Sequence, residues 1–175
     1  MITIIILVLI LLLVGGVAYY LKRTGEIERD PYSISSLDEV VALTDAKGEP
    51  ISFESFEGGV VVVNVWASWS PFSMTELPAL NELARSYEGG EVKFVGINRA
   101  EQPLQTESFL KMLPPLDRVE LLYDPSDTLY RSADGFAMPE TIVYNERGII
   151  VAHIRGPVNV EELKGYIAQA LDASN

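Results

Sequence analysis

Val60-Val-Val-Val-Asn-Val-Trp-Ala-Ser-Trp-Ser-Pro-Phe-Ser-Met-Thr-Glu-Leu-Pro78 decides how this chain is read. Its opening run, Val60 to Trp66, is β-branched and apolar apart from Asn64, the composition of a strand covered on both faces. The residues from Ser70 onward have another character. Ser70 is placed to cap a helix with its hydroxyl, and Pro71 suits a first helical turn, where a missing N–H costs nothing. Leu77, Leu80, Leu83 and Ala84 then recur at helical spacing, which predicts a helix from Pro71 to about Tyr87. Pro78 inside it removes one backbone donor and should kink it. A buried strand thus runs directly into a helix, with Ser70 and Ser73 at the junction.

The neighbouring segments supply the rest of a sheet. Val40-Val-Ala-Leu43 and Pro50-Ile-Ser-Phe53 flank the turn-forming Asp45-Ala-Lys-Gly48, which predicts an N-terminal β-hairpin. Downstream, Glu91 to Asn98 and Val119 to Tyr123 read as strands. Thr106 to Leu113 reads as a short helix stopped by Pro114-Pro115, and Ser126 to Arg131 as one or two helical turns. Gly135 to Tyr144 and Ile149 to Ile154, joined through Asn145-Glu-Arg-Gly148, form an antiparallel hairpin. Asn159 caps a last helix whose buried stripe is Val160, Leu163, Ile167, Ala170 and Leu171. This order predicts an α/β domain: a central mixed sheet with helices on both faces, an N-terminal β-hairpin, and one transmembrane helix ahead of it.

That transmembrane helix is read from residues 1–21, which carry no charged side chain and are almost unbroken aliphatic from Ile2 to Leu13. Such a run spans roughly 30 Å of hydrocarbon as a helix. Its own leading end has no Lys or Arg, which favours a retained anchor over a cleaved signal, although Gly16-Val17-Ala18 offers a weak small-x-small cleavage site. Residues 22–36 are polar and aperiodic and read as a linker, leaving 37–175 as the folded domain. The 25 acidic and 13 basic residues all follow the anchor and give a net charge of −12. A surface that acidic repels phosphate backbones and argues against nucleic acid as a partner; solubility alone also accounts for it. The chain has no cysteine and one histidine, His153, so no disulfide or thiolate metal site exists, and no metal and no cofactor are expected.

The segment Trp66-Ala-Ser-Trp-Ser-Pro-Phe-Ser, with Pro78 five residues further on, resembles the active-site segment of the TlpA/ResA-type membrane-anchored thiol-disulfide oxidoreductases, a thioredoxin-like family. Those proteins carry Trp-Cys-x-x-Cys there. Here Ser70 and Ser73 stand at the two cysteine positions, while Met138-Pro139 matches a second signature, a proline that is cis in that family and sits opposite the dithiol. The likeness runs from about Leu37 to Leu171. It implies a thioredoxin-like fold and a domain outside the cytoplasmic membrane, although Lys22 and Arg23 alone would place it inside. It also implies that Asn64 takes the place of an acid buried in thioredoxins proper, and that Glu76 stands where relatives often have a glutamate.

Thiol-disulfide exchange needs a thiolate at a helix N-terminus, and a serine hydroxyl neither ionises comparably nor forms a mixed disulfide. The chain is therefore expected to be redox-inactive as written, and peroxidase chemistry fails for the same lack of sulfur. Hydrolysis through Ser70 would need a base and an oxyanion hole, and His153 reads as a strand surface residue. Glu76 reads as a solvated helix charge, with an auxiliary role in the site as the alternative. What the resemblance leaves is a groove beside Ser70 and Met138-Pro139, lined by Trp69, Pro71, Phe72 and Met138, that takes an extended protein or peptide partner. Trp66 reads as core. The competing reading is an oxidoreductase for cell-envelope disulfide reduction or cytochrome c maturation whose two cysteines have been exchanged for serine.

Overall fold

The computed structural model describes residues 33–38, 41–87 and 89–173. The proposed anchor and most of the linker lie outside these residues. No helix among the described residues is long and apolar enough to cross a membrane.

The chain enters through a short helix, α1 (Ile34–Asp38), which straddles the domain boundary read at Leu37, and the Ile34 N–H donates to the Gly148 carbonyl at 2.9 Å. The predicted hairpin is present but short: β1 (Leu43–Thr44) pairs antiparallel with β2 (Pro50–Ile51). Asp45 shapes its turn by accepting the backbone N–H groups of Lys47 and Glu49. A 3-10 turn, Phe53–Phe56, leads to the central strand β3 (Val60–Trp66), every residue of which is buried. Then follow α2 (Ser73–Ala84), β4 (Val92–Arg99), α3 (Pro103–Leu110), β5 (Glu120–Asp124), α4 (Thr128–Ser132), β6 (Glu140–Tyr144), β7 (Ile150–Arg155) and α5 (Val160–Asp172). The sheet has seven strands in the order β2-β1-β5-β4-β3-β6-β7. Its centre is parallel where β4 pairs with β3 and β5, and antiparallel where β3 meets β6 and β6 meets β7.

Period-two alternation along β3 explains why the strand reads as continuous apolarity. Val61, Val63 and Val65 join Phe53, Leu129, Ile142 and Tyr144 on one face of the sheet, while Val60 and Val62 join Leu80, Val143, Leu163 and Ile167 on the other. Both faces are dry, and each fully buried valine contributes roughly 1.5–3 kcal/mol. Trp66 closes the strand in a third cluster with Leu77 and Phe109, its ring stacked on Phe109 at 5.5 Å. The expectation that Trp66 is core holds.

Several boundaries differ from those predicted, for physical reasons. α2 begins at Ser73 because residues 70–72 form consecutive turns: Ser70 N–H donates to Ala67, Ser73 N–H to Ser70, and the Phe72 carbonyl accepts from Thr75 and Glu76. Phe72 therefore stands at the cap, and Ser70 is not the capping residue the sequence suggested. At the other end the Ser86 hydroxyl donates to the Leu83 carbonyl and the turn tightens, ending the helix before Tyr87. α3 starts earlier than predicted, at Pro103, because Gln102 and Gln105 form a reciprocal cap ahead of it. Asn159 does cap α5, accepting from Glu161 and Glu162.

Candidate functional site

The end of β3 carries the chain out of the core at Ala67 and into the turns holding Ser68 to Phe72. The β3–β6 ladder pairs Val65 with Glu140, so Pro139, the residue before Glu140, meets the end of β3 from the neighbouring strand. The Met138-Pro139 peptide bond is cis. The register thus brings the Ser70 turn and the Met138-Pro139 loop to the same edge of the sheet.

The two serines are inside, and the apolar side chains around them are outside. Ser70 is only 2 % exposed, and its hydroxyl has no hydrogen-bond partner; Ser73 is fully buried and its hydroxyl accepts the Ala67 N–H at 3.5 Å. Trp69 is 62 % exposed, Phe72 50 % and Phe136 76 %, with Pro71 and Met74 also at the surface and Met138 half-buried. Large aromatic rings in water beside a buried polar turn are what a contact surface presents. The turn itself is clamped by Glu101, whose carboxylate accepts from the Ser68 N–H at 2.8 Å, the Ser68 hydroxyl at 2.5 Å and the Asn98 amide at 2.8 Å.

Glu76 corrects the reading from sequence: it is buried, and it faces the sheet instead of solvent. Its Oε1 accepts from the Asn64 side-chain amide at 2.9 Å and from the Thr141 hydroxyl at 3.2 Å, and Asn64 also donates to Thr141. Asn64 and Thr141 are opposite residues of the β3–β6 ladder, so both point to the face covered by α2. The other carboxyl oxygen, Oε2, makes no full hydrogen bond. Burial pushes the Glu76 carboxyl up to about 7, against the lowering pull of hydrogen bonds from Thr141 and Asn64 and of the Val158 backbone. Beside it, Thr75, Ala79, Pro157, Val158 and Val160 help line a cavity of about 210 Å³. Near neutrality this is a proton-exchanging acid within one helical turn of Ser73.

His153 is likewise not a surface residue: its side chain is largely buried and its Nε2 lies 2.6 Å from Glu140 Oε2. Glu140 itself was missed. A charge in the otherwise apolar run Glu140-Thr-Ile-Val-Tyr144 is a legible signal, because a carboxylate in a strand buried on both faces demands partners. Among the described residues no group of three or more metal-ligating side chains converges.

Strand order, helices on both faces, a cis-proline and a two-turn loop at the end of the central strand define a thioredoxin-like domain in which serines occupy the dithiol positions. The Redoxin family profile matches residues 33–169, and the chain belongs to that family. It is similar to the thiol-disulfide oxidoreductase ResA of Bacillus thuringiensis subsp. konkukian, 21 % identical over 91 % of each chain. It is also similar to the sporulation thiol-disulfide oxidoreductase A of Bacillus subtilis, 26 % identical over 92 % of this chain and 95 % of that one. Among solved structures, MTB dsbF superposes with a TM-score of 0.65 at 22 % identity, over 77 % of this chain and 96 % of the other, a likeness of fold.

Proposed function

We propose that this chain is a redox-inactive, membrane-anchored relative of the ResA-type oxidoreductases that holds an extended protein segment in the groove between Ser70 and Met138-Pro139. The carrying observation is the pairing of a sulfur-free, buried centre with an apolar rim: Ser70 has no hydrogen-bond partner, while Trp69, Phe72 and Phe136 stand largely in water. No cysteine anywhere in the chain can substitute for the missing pair. Residues 1–21 tether the domain to the bilayer, on its extracytoplasmic side as the family likeness suggests. Reduction of insulin disulfides tests the inactivity: the chain is expected to give no turnover, and measurable turnover overturns the reading.

A second reading has one observation in its favour. Every other part of the frame is intact, including the cis-proline and the buried acid Glu76, and the relatives are named oxidoreductases. On that reading the protein is a reductase of cell-envelope disulfides, or acts in cytochrome c maturation, with serine exchanged for both cysteines. Sequencing the gene at codons 70 and 73 separates the two: cysteine codons eliminate the first reading and serine codons the second.

A further inference from the structure

A cavity of about 790 Å³ lies away from the serines, between α3 and the turn of the β1–β2 hairpin. That volume is within the range of small-molecule sites. Tyr123 of β5, itself buried, supplies the floor, its hydroxyl meeting the Thr106 hydroxyl at 3.3 Å. One wall is α3, which contributes Pro103, Leu104 and Leu110, and the other is the turn at Ala46-Lys47-Gly48. Both walls are braced from within. The reciprocal Gln102–Gln105 cap fixes the start of α3, and the Asp45 carboxylate holds the turn by accepting the Lys47 and Glu49 N–H groups at 2.8 and 2.9 Å. Gly48 completes that turn at φ +86°, a left-handed conformation in which a side chain would be strained. A cavity with walls set in this way loses little freedom on binding.

Packing of the core does not account for this lining. α3 meets the core through Thr106 and Phe109, both buried, whereas Leu104 is 80 % exposed. A lone exposed leucine needs no explanation, but together with Pro103, Leu110 and an aromatic floor it makes a continuous apolar surface inside a concavity. The charges bordering it are unevenly matched. Lys111 is taken by Glu107 at 2.7 Å, and Asp45 is occupied by the amides of its own turn. The Lys47 ammonium makes no ion pair and no side-chain hydrogen bond among the described residues. One uncompensated cation thus stands at the edge of an apolar cavity, on a chain whose net charge is −12.

We propose that this cavity binds a small amphipathic monoanion, an apolar chain or ring bearing one carboxylate, with its body against Leu104, Leu110 and Tyr123 and its head on Lys47. A cationic head would be repelled by the lysine, and a second negative charge would meet Glu107 without a partner. The acidic surface elsewhere repels such a ligand, so Lys47 is what fixes its orientation. The site shares no lining residue with the groove beside Ser70 and is independent of the groove reading.

The test uses the full chain in phosphatidylcholine nanodiscs, titrated with phenylbutanoate and, separately, with phenylbutylammonium, which carries the same apolar body and the opposite charge. The readout is the backbone amide shift at Lys47, Gly48 and Leu104, which registers occupancy of this cavity and not partition into lipid. Phenylbutanoate is expected to saturate these shifts with a Kd below about 1 mM and to bind at least about tenfold more tightly than the cation. Lys47→Glu removes a side chain with no partner in the fold, and it is expected to cancel or invert that preference. Leu104→Asp is expected to weaken phenylbutanoate about tenfold with unchanged circular dichroism. Absence of a saturable shift overturns the proposal, as does equal affinity for the two probes or an anion preference that survives Lys47→Glu. Shifts centred on Trp69 and Phe72 place the ligand on the rim and overturn it too. Shifts at Lys47 and Leu104 that grow with protein concentration alone mark a contact between copies and overturn it likewise. None of these outcomes bears on the insulin assay, so the two readings fail separately.

Discussion

Glu140 and Thr141 are consecutive residues of β6 that serve opposite faces of the sheet, Glu140 bonded to His153 and the cis-proline loop, Thr141 bonded to Glu76 beneath α2. Strand alternation alone produces this division. Two carboxyl groups at the same edge of the sheet are thereby kept in separate environments, Glu140 with both oxygens occupied and Glu76 with one left over.

Glu76 should make the protein less stable as pH rises. The unfolded carboxyl releases its proton near 4.5 and the folded one near 7, so between those values the folded state binds more protons and stability falls with pH, levelling above the folded value. The full effect is at most about 3.5 kcal/mol, since each tenfold difference in proton affinity between the two states is worth roughly 1.4 kcal/mol. Urea midpoints at pH 5 and pH 8 should therefore differ more in the native sequence than in Glu76→Gln. Equal differences in the two proteins would show that burial does not govern this carboxyl.

Restoring sulfur should restore a disulfide. Ser70 and Ser73 lie in consecutive turns linked by the Ser73 N–H to Ser70 carbonyl bond of 3.2 Å, and both side chains are buried. In Ser70→Cys with Ser73→Cys, a mild oxidant is expected to consume both thiols reversibly with unchanged circular dichroism. Two titratable thiols persisting after oxidation would contradict the placement of the motif.

The aromatic rim should matter to binding and hardly to folding. Trp69 and Phe72 are half-exposed or more, so alanine at either position is expected to shift stability by no more than about 0.5 kcal/mol. Disulfide capture of an extended apolar peptide carrying one activated cysteine by the Ser70→Cys protein should fall roughly tenfold for each, the scale of an interface anchor. Loss of stability without loss of capture would place these rings in the core instead.

Phe109 is the opposite case. It is buried against Trp66 and ties α3 to the end of β3, so Phe109→Ala is expected to cost about 3–5 kcal/mol of stability. Chemical denaturation measures it, and a change under about 1 kcal/mol would mean that the cluster collapses to fill the gap.

What the sequence made legible was what local rules determine. Val60 to Trp66 announced a doubly covered strand, Asn159 a helix cap, Asp45 to Gly48 a hairpin turn, and the spacing from Trp69 to Pro78 a thioredoxin-like junction. Helix ends moved with local caps, at Ser86 and at Gln102–Gln105, while the misread side chains are cases where a partner distant in sequence decides or where turns intervene before a helix begins. Glu76 could pass for a helix-surface charge because its partners, Asn64 and Thr141, lie 12 and 65 residues away. His153 could pass for a strand surface residue because Glu140 is on the neighbouring strand. Ser70 looked like a cap because Ser-Pro opens many helices, yet two turns intervene here and the first helical bond goes to Phe72. Glu101 gave no local sign at all: it reaches 33 residues back to fasten Ser68.

The bond from Ile34 to Gly148 has a consequence for how the molecule meets its surroundings. Gly148 follows β6 at the end opposite Glu140, a strand's length of roughly 17 Å away. Ile34 is therefore fastened at the pole remote from Trp69 and Phe136. A ligand seated on the aromatic rim therefore leaves the seam between Ile34 and Gly148 untouched.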